Sequence, residues 1–148
     1  MSATTKSMCT FWLAGMCLGT DVLDVQEVIR YQELTPVPLA PAVIEGLMNL
    51  RGQIITAVDL RKRMELPARP DGEEPVNLVI HTTEGVVSLL VDQIGDVVEV
   101  DRDMFEAPPG TVVGVGRDLI VGAYKLDGLL LLELDVARVT SGLATAGS

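Results

Sequence analysis

The residues of this chain that could do chemistry are few and scattered. His81 is the one histidine, and it stands in the apolar run "VNLVIHTT", where strand alternation groups it with Asn77 and Val79. A serine or cysteine nucleophile needs a base beside it, and a single strand histidine leaves little choice. There is no G-x-S-x-G elbow and no phosphate loop that ends in Gly-Lys-Ser/Thr. A carboxylate pair for sugar hydrolysis stays open by spacing, but aromatic residues are only 3% and offer little for sugar stacking. The pattern predicts no enzyme, no catalytic residue and no cofactor.

The two cysteines, Cys9 and Cys17, form neither a disulfide framework nor a zinc-binding pattern. We expect both to be small core residues in a reducing compartment, and we expect no metal site.

The stretch "IEGLMNLRGQIITAVDLRKRM" carries the most specific polar pattern. Arg51 stands beside a glycine at the end of an apolar run, so it either caps a hairpin in solvent or forms a bidentate bond to a carboxylate. Glu27 is a candidate for that carboxylate. It could instead complete a helix capping box that begins at Asp24.

Short apolar runs between turn residues must position these groups. The runs have the length of strands and are rich in β-branched residues, which predicts eight or more strands in a barrel or sandwich. Asp127-Gly128 is the strongest hairpin signal, and Arg51-Gly52 and Glu84-Gly85 are weaker ones. Four segments are predicted as short helices: "DVQEVI" capped by Asp24, "PAVIEG" from Pro41 to Gly46, "DLRKRM" from Asp59 and "DVARVTSG" from Asp135.

Several of these strands have apolar residues on both faces. In "LLLL", Leu129 and Leu131 point one way while Leu130 and Leu132 point the other. The surplus must be covered by a second lobe, a helix or another protein. The polar, Pro-rich segment 66–75 is predicted to join two halves of the fold.

The net charge of −10 disfavours nucleic-acid binding and contact with an anionic lipid surface. The N-terminus does not have the pattern of a signal peptide, and no apolar window is long enough for a spanning helix. We therefore expect a soluble, cytoplasmic protein without direct membrane insertion.

The same stretch resembles the signature of the CheW family of chemotaxis coupling proteins, on Gly46, the Asn49-Leu50-Arg51-Gly52 segment and the Asp59-Leu60-Arg61 segment. Three other pieces are similar to the family's opening hairpin, middle strands and final hairpin: "FWLAGMCLGTDVLDVQEVI", "VVSLLVDQIGDVVEV" and "LDGLLLLELDVARV". Thr56 stands where the family usually has a proline, and Leu18 stands where an aromatic residue is common. The first departure concerns the geometry of its strand, and the second concerns the packing of the first hairpin.

The resemblance implies a mainly β fold of two five-stranded, barrel-like (SH3-like) lobes with short helices. It implies one domain of two intertwined β lobes over residues 8–140, with flexible termini at 1–7 and 141–148. It also implies a non-enzymatic scaffold that couples chemoreceptors to a CheA-type histidine kinase. The partners would be the kinase regulatory domain and the cytoplasmic tip of a methyl-accepting chemoreceptor, so the protein would lie beside membrane-anchored receptor arrays.

By resemblance, the protein-binding residues are Val25, Glu27, Gly46, Asn49, Arg51 and Gly52, with Glu27 and Arg51 as an ion pair. The alternative that we keep open is a small-ligand-binding β-barrel of unrelated role, which would enclose an apolar cavity.

Overall fold

The computed structural model describes residues 4–110 and 115–141, apart from the side chain of Val115. Within these residues the chain forms ten strands, three short α-helices and two single-turn 3₁₀ helices. The strands are β1 Thr5–Leu13, β2 Met16–Asp21, β3 Val25–Ile29, β4 Ile44–Leu50, β5 Gln53–Asp59, β6 Val76–Thr82, β7 Gly85–Val91, β8 Gln93–Asp101, β9 Ile120–Leu126 and β10 Leu129–Leu134. The α-helices are α1 Leu60–Arg63, α2 Val115–Asp118 and α3 Val136–Thr140, and the 3₁₀ helices are Val22–Asp24 and Arg102–Met104.

The strands make two five-stranded sheets, which confirms the predicted pair of lobes. The terminal lobe has the order β8-β1-β2-β10-β9 and contains both ends of the chain, whereas the central lobe has the order β3-β6-β7-β5-β4. Each sheet is open, since its two edge strands are not paired with each other. Of the termini predicted to be flexible, 1–7 and 141–148, residues 5–7 belong to the first strand, and residues 1–3 and 142–148 lie outside the described residues.

Neither sheet is built from one half of the chain. The hairpin β1–β2 pairs with β8 and β10 from the second half, and the hairpin β6–β7 pairs with β3 and β5 from the first half. The strand pairs β2–β10 and β5–β7 are parallel. The lobes are therefore intertwined, because each is completed by strands from the other half of the sequence.

Two of the four predicted helices are wrong. The segment that follows Asp24 is strand β3, and Asp21, not Asp24, caps the 3₁₀ helix before it through a hydrogen bond from Leu23 N. In the segment Pro41 to Gly46, a single turn closed by a hydrogen bond from Ile44 N to Pro41 O leads directly into β4, which begins at Ile44. The structure contains the predicted helices after Asp59 and Asp135. Each aspartate caps its helix, because its side chain accepts a hydrogen bond from a backbone N–H of the first turn.

The surplus of apolar residues is explained by three buried clusters. The largest draws on both sheets, and it includes Phe11, Leu18, Leu78, Ile80 and Leu132. A smaller cluster lies in the terminal lobe around Met8, Tyr124 and Leu131, and another lies in the central lobe around Met48, Ile55 and Val79. Successive leucines of β10 thus enter different clusters, which confirms that a second lobe covers one face.

The cysteines and the two departures from the family pattern fit this packing. Cys9 and Cys17 are buried in different clusters, and burial raises the pKa of both thiols. Thr56 is buried in an unbroken strand that pairs with Leu47 on one side and Val87 on the other. Leu18 is fully buried in the shared core.

We predict that the two neighbouring leucines of β10 differ in their effect on stability. Leu131→Ala removes a fully buried side chain and should lower the free energy of unfolding by about 2–5 kcal/mol. Leu130→Ala alters a side chain that is 37% exposed and should cost less than about 1 kcal/mol. Urea unfolding followed by circular dichroism measures both, and equal losses would contradict the assignment of Leu131 to the core.

Candidate functional site

The structure places Glu27 and Arg51 in direct contact. Glu27 lies on β3, one edge strand of the central lobe, and Arg51 lies in the turn between β4, the opposite edge strand, and β5. The guanidinium Nη2 of Arg51 donates to Oε2 of Glu27, so the pair bridges the two edges of an open sheet. This hydrogen bond lowers the pKa of the Glu27 carboxyl. The carboxylate thus stays charged at neutral pH and holds the arginine in one place.

The turn that carries Arg51 has an unusual backbone. Arg51 has φ +50° and Gly52 has φ +88°, as a two-residue hairpin turn with two left-handed positions requires. A non-glycine residue in this region costs about 1 kcal/mol or more. Asn49 offsets part of that cost, because its Oδ1 accepts the N–H of Gly52 at 2.8 Å. Asn49, Arg51 and Gly52 therefore act as one unit that presents the guanidinium.

Gly46 is required by a close approach of the backbone. The segment before β4 crosses its edge, where Thr35 and Leu47 exchange two backbone hydrogen bonds of 2.8 Å. A Cβ at Gly46 would lie 2.7 Å from the carbonyl oxygen of Thr35 and 2.9 Å from Cβ of Leu34. Gly46 therefore lets this segment pack closely against β4.

Val25 shares a strand with Glu27 but has different surroundings. It is partly buried against the core that spans both sheets, and a β-bulge separates it from Glu27. Of the six predicted site residues, the structure thus brings Glu27, Asn49, Arg51 and Gly52 together where the β4–β5 turn reaches across to the opposite edge strand β3. Val25 and Gly46 lie on the strands that support them.

Among the described residues there is no small-molecule or metal site whose polar groups are arranged as clearly as Glu27 and Arg51. They contain no group of three His, Cys, Asp or Glu side chains able to hold a metal ion. An apolar groove of about 510 Å³ runs beside Met16, Met64, Leu66 and Leu130. The residues that line it include no charged, hydroxyl or amide side chain to orient a ligand. No helix of the described chain is long and apolar enough to cross a membrane.

Comparison with known proteins identifies the family. Residues 7–143 match the family model described as a CheW-like domain. The chain belongs to the CheW-like domain family. Among similar proteins, a chemotaxis protein CheW of Rhizobium meliloti is 32% identical, and the match covers 88% of this chain and 85% of the relative. The chemotaxis protein CheW of Treponema pallidum is 29% identical, over 89% of this chain and 80% of the relative.

A solved structure agrees with this assignment. The scaffolding protein TtCheW from Thermoanaerobacter tengcongensis superposes with a TM-score of 0.83 at 28% identity. The match covers 95% of this chain and 90% of that one. The mainly β, two-lobed fold predicted from the sequence is thus confirmed as a CheW fold.

The Asp59-Leu60-Arg61 part of the signature builds an ion network inside this CheW-like domain. Arg61 binds Asp92 in a bidentate manner, with Nε–Oδ1 at 2.9 Å and Nη2–Oδ2 at 2.5 Å. Arg69 Nε donates to the same carboxylate at 3.0 Å, and Ala14 N donates at 2.9 Å. Nη2 of Arg69 has no hydrogen-bond partner and lies 3.9 Å from Oδ1 of Asp59.

The network stands where the chain crosses between the lobes. Asp92 separates β7 of the central lobe from β8 of the terminal lobe, Ala14 is in the β1–β2 turn and Arg61 is in α1. Sequence reasoning gave no role to Asp92, although it lies in a piece that resembles the family, or to Arg69, because their partners come from distant segments. The partly buried network therefore links the two lobes to each other, which the family signature alone does not reveal.

We predict a specific loss of stability in acid. Burial by itself would raise the pKa of Asp92, but the hydrogen bonds from Arg61, Ala14 and Arg69 outweigh it and lower the pKa from 3.8 to about 2. The network's contribution of about 2 kcal/mol is present above about pH 4 and is lost as the pH falls towards 2.

Urea unfolding between pH 2 and pH 7 measures this effect. Asp92→Asn should lower stability at pH 7 and flatten its decline below pH 4, because the carboxylate that titrates is gone. Asp71→Asn, at an exposed turn, is the matched control and should behave as the parent chain does. An unchanged acid profile in Asp92→Asn would contradict the role of the network.

Proposed function

We propose that this CheW-like domain is a non-enzymatic scaffold that couples chemoreceptors to a CheA-type histidine kinase. The observation that carries the proposal is the match over 95% of the chain to a protein described as a scaffolding protein. The partners are the cytoplasmic tip of a methyl-accepting receptor and the regulatory domain of the kinase. The domain then works in the cytoplasm, held at receptor arrays through these partners.

The surface at Glu27 and Arg51 is suited to the receptor contact. The Arg51 side chain is 67% exposed although it is bonded to Glu27, so most of its N–H donors remain accessible. Because the ion pair and the turn hold the side chain, little conformational entropy is lost when a partner binds it. Next to Glu27, Val28 is 41% exposed and offers apolar area beside the charge.

A scaffold of this kind transmits a signal through differences in binding. A receptor can change kinase activity through the scaffold only if its two signalling states make different contacts. Each contact between the scaffold and a partner can be weak, because several contacts act together in an array. A rigid link between the lobes suits this task, because a displacement of one lobe at its binding surface then moves the other lobe as well.

We predict that Arg51→Glu weakens binding to a receptor tip about tenfold and leaves the fold intact. The reversal places two carboxylates together and removes the guanidinium donors. Titration calorimetry gives the dissociation constant, and circular dichroism checks the fold. Arg102→Glu, a matched reversal at an exposed arginine of the terminal lobe, should leave receptor affinity unchanged.

The exchanged double variant Glu27→Arg with Arg51→Glu separates two roles for the pair. It restores an ion pair at the same place with the charges swapped. If Arg51 contacts the receptor, affinity stays low in the double variant. Receptor affinity that is the same in Arg51→Glu and in the parent chain would contradict the proposed site.

A further inference from the structure

The segment between α1 and β6 is attached to the rest of the protein by very few contacts. We call residues 67–75 the strap; all of them except Arg69 and Pro75 are exposed. Among the described residues, the backbone–backbone hydrogen bonding of the strap is confined to one turn, closed from Glu73 N to Pro70 O at 3.2 Å. The strap is therefore held in place by side chains and not by pairing with either sheet.

Two arginines attach the strap to the crossover between the lobes. Arg61 Nη1 donates to the carbonyl oxygens of Pro67 at 2.9 Å and Ala68 at 3.4 Å. Arg69, within the strap, turns its guanidinium inward, and its Nε donates to Oδ1 of Asp92 at 3.0 Å. The side chain of Arg69 is only 11% exposed, although its neighbours in the chain are exposed. Arg69 is thus the ionic attachment that the strap itself provides.

This attachment by Arg69 is incomplete. Nη2 is buried without a hydrogen-bond partner and lies 3.9 Å from Oδ1 of Asp59. A charge-assisted hydrogen bond is about 2.7–2.9 Å long, so a shift of about 1 Å would form one here. Oδ1 of Asp59 already accepts the N–H of Arg61 at 3.0 Å and has a further lone pair. Because a buried donor without an acceptor is unfavourable, Arg69 is held less firmly than Arg61, which makes two bonds to Asp92.

The strap covers a recess at this crossover. The recess has a volume of about 450 Å³, and the strap contributes Arg69, Glu73 and Glu74 to its lining. On the other side lie Asp92 and Trp12, the single tryptophan, whose carbonyl oxygen accepts the N–H of Asp92 at 3.0 Å. Arg69 is the only cation among the lining residues, so without it three carboxylates would face one recess.

We propose that the strap is a latch that opens locally, with Arg69 as its catch, while both sheets stay folded. In the closed state Arg69 binds Asp92 and lies against Asp59. In the open state water enters the recess beside Trp12, and Asp92 keeps Arg61 but loses Arg69. Local opening is expected of a segment with an exposed backbone and few contacts. Opening weakens the link between the lobes, because Asp92 is the residue at which they meet.

The test uses the full chain alone, because the latch needs no partner. Arg69→Met removes the donors and keeps an unbranched side chain, and Arg102→Met is the matched control at an exposed arginine. A glutamyl endopeptidase measures opening by the rate of cleavage after Glu73, and acrylamide quenching of Trp12 fluorescence measures access to the recess.

We expect Arg69→Met to accelerate cleavage after Glu73 by about fivefold or more, since proteolysis follows the population of the open state. Quenching of Trp12 should rise with it. The urea midpoint should change far less than in Asp92→Asn, because Arg61 still binds Asp92 across the crossover. Arg102→Met should match the parent chain in all three measurements.

Asp59→Asn tests the second carboxylate of the closed state. Asparagine also caps a helix well, so this change removes the charge that faces Arg69 and keeps α1. Opening should increase in Asp59→Asn, but the double variant with Arg69→Met should open no more than Arg69→Met alone, because both changes remove one interaction.

Three results would overturn the latch. The first is parent-like cleavage and quenching in Arg69→Met. The second is cleavage after Glu27 and Glu45, within strands, at the same rate as after Glu73, because the whole chain would then be unfolding. The third is fully additive opening in the double variant, because Asp59 and Arg69 would then act independently.

Discussion

The exchange of hairpins between the two halves of the chain is the constraint on which the rest of the structure depends. Each sheet takes two strands from one half of the chain and three from the other, so neither half contains a complete lobe. The largest apolar cluster then draws on both sheets, and the Asp92 network binds the crossover between them. Because the lobes share an apolar core and are linked by the Asp92 network, surfaces on one lobe keep a fixed position relative to surfaces on the other.

Much of the fold could be predicted from the sequence, and the errors of that prediction have a physical cause. The β-branched runs and the turn at Asp127-Gly128 indicate strands and hairpins that the structure contains. Val25, Val28 and Ile29 have the spacing of a helix face, but in β3 Val28 is exposed while Val25 and Ile29 are partly buried, because pairing with β6 overrides the helical pattern. Pro41 begins only one turn, after which β4 pairs with β5 and overrides the helical pattern.

The candidate site, like the fold, could be predicted from the sequence only in part. The resemblance to a family points to Glu27 and Arg51, and the structure places them in contact. No local pattern could have joined them, since they stand on opposite edges of a sheet and meet only after it folds. Asp92 and Arg69 were missed for the same reason, because their partners come from distant segments.

Co-sedimentation of a CheA-type kinase with a receptor signalling domain, in the presence and absence of this chain, tests the central claim most directly. The account predicts that the kinase enters the receptor pellet only when the chain is present and that the chain enters it as well. A kinase that pellets equally without the chain, or a chain that remains in the supernatant with both partners present, would contradict it.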